Sequence, residues 1–207
     1  MSIRPSSYLG VLRTAALILL LPAGACFSKR VTRIEPNAVT DLSGRWNDTD
    51  ARLVANELVE QSLSAGWARR YADLHAGEAP TIIIGTFANR TMEHIPVGTF
   101  VKDIEKAFIT TGAARVVASS DERQEIRAER KDQQQNARTD TRSRVGQELG
   151  ARYALTGELQ AIEDKDGRER VIFYQIDAAL VDLETNTKVW VGQHKIKKYV
   201  ERARFAF

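Results

Sequence analysis

Between Pro80 and Thr91 the chain runs PTIIIGTFANRT, and this stretch limits what the rest can become. Thr81 to Ile84 form a β-rich apolar run, with Phe87 just beyond it. A run without polar alternation predicts a strand covered on both faces, since side chains pointing either way must leave water. Gly85-Thr86 and Ala88-Asn89-Arg90-Thr91 are loop residues, and an amphipathic helix follows. Strand, loop and helix together open a crossover unit. Segments after Thr91 then become elements laid beside or over that strand, and those before it serve delivery and attachment.

A chain of 207 residues accommodates one domain with a leader, or two small domains. Its 43% hydrophobic and 28% charged residues are ordinary for a globular protein. The formal charge of +3 shrinks once Arg4 and Arg13 leave with a leader, to 28 basic against 27 acidic residues. Charges of both signs are mixed along the chain, which argues against a nucleic-acid partner. Cys26 is the single cysteine, so neither an intramolecular disulfide nor a cysteine cluster for metal can form.

The first 13 residues carry two arginines and no acid, residues 15–21 are the short apolar core AALILLL, and Pro22-Ala23-Gly24-Ala25-Cys26 follows. The core is too short to span a bilayer. One reading is a signal peptide cut after Ala25 with Cys26 left as a free thiol. The other is a bacterial lipoprotein signal, because Gly24-Ala25-Cys26 resembles the tail of a lipobox, although Ala23 stands where leucine is usual. Lipid on Cys26 holds a domain on a membrane without a spanning helix, at about 0.8 kcal/mol per buried methylene. Phe27 after the cysteine, rather than aspartate, is similar to signals that permit the outer membrane.

Residues 27–48 lack periodicity and are punctuated by Pro36, Asn37, Asp41, Ser43 and Gly44, the pattern of a tether on which Trp46 docks. About 22 such residues span roughly 70–80 Å extended and nearer 25 Å as a coil. Asp50 is placed to cap a helix from Ala51, with Ala51, Val54, Ala55, Leu58, Val59 and Ser62 on one face. Gly66 breaks it before Trp67 to Leu74. The next helix, Pro96 to Thr111, has the stripe Val97, Phe100, Val101, Ile104, Ala107 and Phe108, with Gly112 as its stop. Arg115 to Ser119 is a short strand.

Asp121 to Asn136 is charged nearly all round. Asp121 with Gln124 resembles a capping box. Glu122, Glu125, Glu129 and Asp132 fall on one side of this helix and Arg123, Arg127, Arg130 and Lys131 nearly opposite. It is either a solvated surface helix or a protruding one suited to a charged partner. A further helix is expected from Thr139 or Thr141, with Val145 and Leu149 in the core and Gly150 at its end. Three strands close the chain, 152–163, 171–183 and 188–198, joined by hairpins at Asp166-Gly167 and Thr185-Asn186. The expectation is an α+β fold, a mixed β-sheet with helices packed mainly on one face.

Chemistry is sparse. There is no Gly-rich phosphate loop, HExxH or GxSxG. His75, His94 and His194 lie in different elements without ligand spacing. Glu93-His94 follows the central strand, but no nucleophile or second carboxylate is placed to join it. The chain reads as a non-enzyme with no cofactor, no metal site and no small-molecule substrate.

Asn89-Arg90-Thr91, Val117-Ala118-Ser119, Thr141-Arg142-Ser143, Gly150-Ala151-Arg152-Tyr153-Ala154-Leu155, Leu183-Glu184-Thr185-Asn186 and Val189-Trp190 occur in that order behind the lipobox-like leader. In order and spacing they resemble the LpoB family, lipoprotein activators of bifunctional penicillin-binding proteins, over about residues 78–198. The resemblance implies a fold similar to the N-terminal domain of TolB. It implies an outer-membrane, lipid-anchored protein facing the periplasm that binds a penicillin-binding protein and stimulates cell-wall synthesis. On that basis the chain divides into a leader (1–25), anchor and tether (26–48), an N-terminal helical extension (49–77), the α+β domain (78–200) and a tail (201–207). The family's well-known members carry a long Pro-rich tether, whereas Pro36 is the lone proline between Cys26 and the first helix. Similar domains in secretion lipoproteins resembling CsgG make an accessory of an outer-membrane secretion system the alternative. A lipid-anchored structural protein is a third. For the partner surface, the loop residues Asn89, Arg90, Thr91, Glu93 and His94 and the helix residues Arg123, Glu125, Arg127 and Glu129 are the candidates, with Cys26 as the lipidation site.

Overall fold

A computed structural model describes residues 30–201. Residues 30–36 belong to a separate unit and contain no helix or strand. From Asn37 onward the elements are α1 (Asp48–Ser64), α2 (Trp67–Leu74), β1 (Thr81–Asn89), α3 (Gly98–Thr111), β2 (Arg115–Val116), α4 (Ser120–Asn136), β3 (Tyr153–Asp166), β4 (Glu169–Asp182) and β5 (Lys188–Glu201). One sheet of order β2-β1-β3-β4-β5 carries them, with β1 parallel to both neighbours and β3, β4 and β5 antiparallel. This is the expected α+β arrangement, with α1 and α3 packed on one face.

The α1 stripe is buried as its spacing requires, but the cap differs from expectation. Asn47, not Asp50, is the N-cap, because its backbone is extended. Asn47 Oδ1 accepts from the Asp50 N–H at 3.1 Å, and Asp50 Oδ2 accepts from the Asn47 N–H at 2.9 Å. This capping box satisfies two orphan donors at once. Gly66, at φ +71°, separates α1 from α2. Trp67 then turns into the core and donates its indole N–H to Ser62 Oγ at 3.0 Å.

β1 is longer than the apolar run suggested, continuing through Asn89 with a register shift between Ile84 and Phe87. It is not covered fully on both faces: Ile82 is buried, while Ile83 and Ile84 are half-buried. β2 shrinks to Arg115–Val116. In β4, Ile172, Tyr174, Ile176, Ala178 and Leu180 all face the core, and Phe173, Gln175, Asp177 and Ala179 lie half-buried on the other side. Phe87 fits under α3, edge-on to Phe100 at 5.3 Å, because Gly157 opposite has no side chain.

The helix expected from Thr139 or Thr141 does not form. Val145 and Leu149 are 66% and 54% exposed, and Gly146 between them is left-handed at φ +75°. Two apolar residues make too small a stripe to offset helix nucleation. The segment spends its polar groups on α4 instead. Gln134 donates to the Ser143 carbonyl at 2.7 Å, and the Ser143 N–H donates to Gln133 at 3.0 Å.

Trp46 docks as expected, edge-on to Tyr174 at 5.5 Å and tilted against Phe100 at 6.4 Å. Residues 41–47 form a strap across the ends of β4 and β5. Lys198 latches it, with Nζ 2.8 Å from Asp41, 2.6 Å from Asp50 and 3.1 Å from the Arg45 carbonyl. Gly44, at φ +68°, passes so close to Val200 that an added Cβ would stand 2.1 Å from its Cγ2.

Candidate partner-binding surface

β1 delivers its loop from beside β3, past the short strand β2, and Asn89 shapes that loop. Asn89 Oδ1 accepts from the N–H and hydroxyl of Thr91 at 2.9 and 2.8 Å, while Nδ2 donates to the Glu93 carbonyl at 2.7 Å. Thr91 Oγ accepts from the Glu93 N–H at 3.1 Å, and the Arg90 N–H donates to the Leu159 carbonyl at 2.8 Å. The turn is thus closed by short polar side chains on their own backbone.

Of the five loop candidates, Arg90 and His94 face water. Arg90 is 3.9 Å from Glu158, a pair too exposed to hold it. Asn89 and Thr91 are half-buried in the turn itself. Glu93 points inward, accepting from the Tyr174 hydroxyl at 2.7 Å and the Trp46 N–H at 3.3 Å. Burial, then the bond to Glu93, pushes the Tyr174 phenol well above its ordinary range. Met92 is fully exposed at the tip. Sequence reasoning passed it over, although it is the single long apolar side chain between Arg90 and His94.

α4 has no buried residue. Its cap is Ser119 with Glu122, not Asp121 with Gln124: Glu122 accepts from the Ser119 N–H at 2.8 Å. Arg123 is half-buried and donates to the Ala118 carbonyl at 2.8 Å. Arg127 and Arg130 meet Glu148 from the following loop at 2.8 and 2.9 Å. The Arg127 bond, with help from Arg130, pulls the Glu148 carboxyl down to about 2. At the other end Lys102 reaches Glu122 at 2.9 Å and pulls it down to about 2. The basic flank of α4 therefore leans on its own chain, while Glu125 and Glu129 on the other flank are exposed.

The structure does not join the loop to α4. β1 runs seven residues past its last pairing with β2, from Ile82 to Asn89, or roughly 23 Å of strand. No hydrogen bond or ion pair links residues 89–94 to α4 among the described residues. Two other motifs do meet: Arg152 pairs with Asp182 at 2.7 Å and also with Glu184, and the Leu183 N–H donates to the Arg152 carbonyl at 3.0 Å. Asp182 Oδ1 accepts from the N–H groups of Glu184 and Thr185, at 2.8 and 3.0 Å, which folds the β4–β5 turn.

Among the described residues no group of His, Cys, Asp or Glu is arranged to hold a metal, and no helix is long and apolar enough to cross a membrane. His75 stacks on Tyr71 at 3.8 Å. Cys26 lies outside the described residues.

Among curated proteins, none matches the chain in sequence. Solved structures similar to it include E. coli LpoB determined by NMR, at 13% identity and TM-score 0.39, covering 98% of this chain and 96% of that one. The E. coli LpoB C-terminal domain matches at 14% identity and TM-score 0.33, over 65% of this chain and 98% of that one. A PelC dodecamer from Paraburkholderia phytofirmans matches at 16% identity and TM-score 0.34, over 58% and 73%. The family model described as peptidoglycan-synthase activator LpoB matches residues 50–196. The matched span takes in α1 from Asp50, strands β1 to β4, β5 as far as Ile196 and both sequence motifs that meet at Arg152, and the chain belongs to the LpoB family.

Proposed function

We propose that this protein is a lipid-anchored activator that binds a bifunctional penicillin-binding protein and stimulates its peptidoglycan synthesis. The family match over 50–196 carries the reading. Cys26 is the lipid attachment point, and the domain faces the periplasm from the outer membrane. The partner surface is the β1 loop, with Arg90, Met92 and His94 making contact and Asn89, Thr91 and Glu93 holding the loop in shape. A second contact area is α4, where Glu125 and Glu129 are exposed and Arg123 and Arg127 brace the helix. A loop leaving a strand paired to β3 suits this role, since the sheet fixes what the loop presents.

The test is a binding and activity assay on the purified chain. It should bind a bifunctional synthase of the same envelope and raise its glycan polymerisation rate. A chain that neither binds nor stimulates the synthase would falsify the reading. Mass spectrometry of the membrane-extracted protein should find a mature N-terminus at lipidated Cys26. An unmodified thiol there, or intact residues 1–25, would remove the anchor from the proposal.

A further inference from the structure

Glu93 bonds to two separate parts of the molecule. Its Oε1 accepts from Tyr174, a fully buried residue at the centre of β4. Its Oε2 accepts from the backbone N–H of Trp46, which belongs to the strap. These are the side-chain hydrogen bonds that join residues 90–94 to β4 and to the strap among the described residues. The strap is held elsewhere by contacts that do not touch the loop: Lys198 on Asp41 and the Arg45 carbonyl, Arg170 on the Ser43 carbonyl at 3.2 Å, and Gly44 against Val200.

We propose that Glu93 is a positioning residue through which the strap sets the conformation of the β1 loop. A carboxylate bound at both oxygens cannot rotate without losing one bond. If the strap lifts, Oε2 loses its donor inside a half-buried site, where an unmade bond is costly. Glu93 then swings out towards water. Its own backbone N–H and carbonyl close the Asn89–Thr91 turn, so the turn loosens with it. By linkage, whatever holds the loop in its present shape also holds the strap down, by the same factor. That a protein partner docks on the loop rests on the proposed function; the coupling itself does not.

Hydrogen exchange on the purified chain measures the coupling without any partner, so its outcome is separate from whether a synthase binds. Gly44→Ala lifts the strap at a distance, because the new Cβ collides with Val200 at a left-handed backbone position. Glu93→Ala breaks the link in place, taking away both acceptors. Each should speed exchange of the Thr91, Glu93 and Ile95 amides about tenfold, the cost of one net hydrogen bond of roughly 1.4 kcal/mol. Amides of β3 to β5 should keep their protection. The double variant should speed the loop no more than Glu93→Ala alone, because the path is already cut. Faster strap exchange in Gly44→Ala with unchanged loop exchange overturns the proposal. So do loop effects that add in the double variant, which mark two independent structural lesions. Should Gly44→Ala not fold, Asp41→Ala loosens the same strap at an exposed position and is read in the same way.

Discussion

Arg152 holds Asp182 through two nitrogens, Nε at 3.1 Å and Nη2 at 2.7 Å, and so ties the entry of β3 to the end of β4. The Asp182 side chain is only 8% exposed, which makes its charge dependent on this partner. Arg152→Ala should lower Tm by several degrees, and more than Arg152→Lys, because an ammonium cannot grip both ways. Thermal unfolding of the two variants checks this. Equal loss in both would mean that the paired geometry contributes nothing.

The α4 contacts should be lost in acid. Glu148 and Glu122 each have a carboxyl pulled from 4.5 down to about 2 in the folded chain, by Arg127 and Lys102 respectively. A depressed carboxyl stabilises fully above its unfolded value, and that contribution fades as pH falls through the folded value. Exchange at α4 amides should therefore rise between about pH 4.5 and 2, ahead of amides in β4. In Glu148→Gln the C-terminal half of α4 should already exchange faster at pH 7.

Ser119→Ala should fray α4 without unfolding the domain. The cap contributes about 1 kcal/mol, and α4 has no buried residue to hold it otherwise. Far-UV circular dichroism should show lost helix at an almost unchanged Tm. A large drop in Tm would contradict the view of α4 as an element on the surface.

Gly157→Ala should destabilise the core by about 1–3 kcal/mol. The added methyl would stand 2.5 Å from the Asp177 carbonyl and 2.5 Å from Phe87 Cε1. Denaturant titration measures the loss, and combining it with Phe87→Leu should recover part of it, since the ring is one of the two obstacles.

Arg90→Glu with Met92→Lys should leave Tm unchanged, as both side chains face water. The pair should weaken synthase binding at least tenfold, or about 1.4 kcal/mol. Unchanged affinity would move the docking surface to α4, where Glu125→Lys with Glu129→Lys is the corresponding pair.

Short-range patterns carried much of the fold. The apolar run at Thr81 to Ile84, the stripes of α1 and α3, the breaks at Gly66 and Gly112 and the turns at Gly167 and Asn186 are local chemistry, and the elements appear there. The segregation of charge on α4 and the docking of Trp46 were legible for the same reason. The order of motifs along the chain was enough to place it in its family.

Tertiary contact decided the rest. Sequence periodicity suggested a helix at Val145 and Leu149, but nothing in the core receives those side chains, and the segment bonds to α4 instead. Which of two acidic or polar residues caps a helix depended on where Trp46 and β2 delivered the backbone. Glu93 looks like a loop carboxylate in the sequence, and donors far along the chain, Tyr174 and the Trp46 N–H, turn it inward. Arg152 and Asp182 are 30 residues apart and become one unit once β3 and β4 pair. Local propensity nominates segments for helix or strand and tertiary contact decides which persist, whereas the direction of a charged side chain is set by the partner that relieves its desolvation, and that partner is brought close only by the fold.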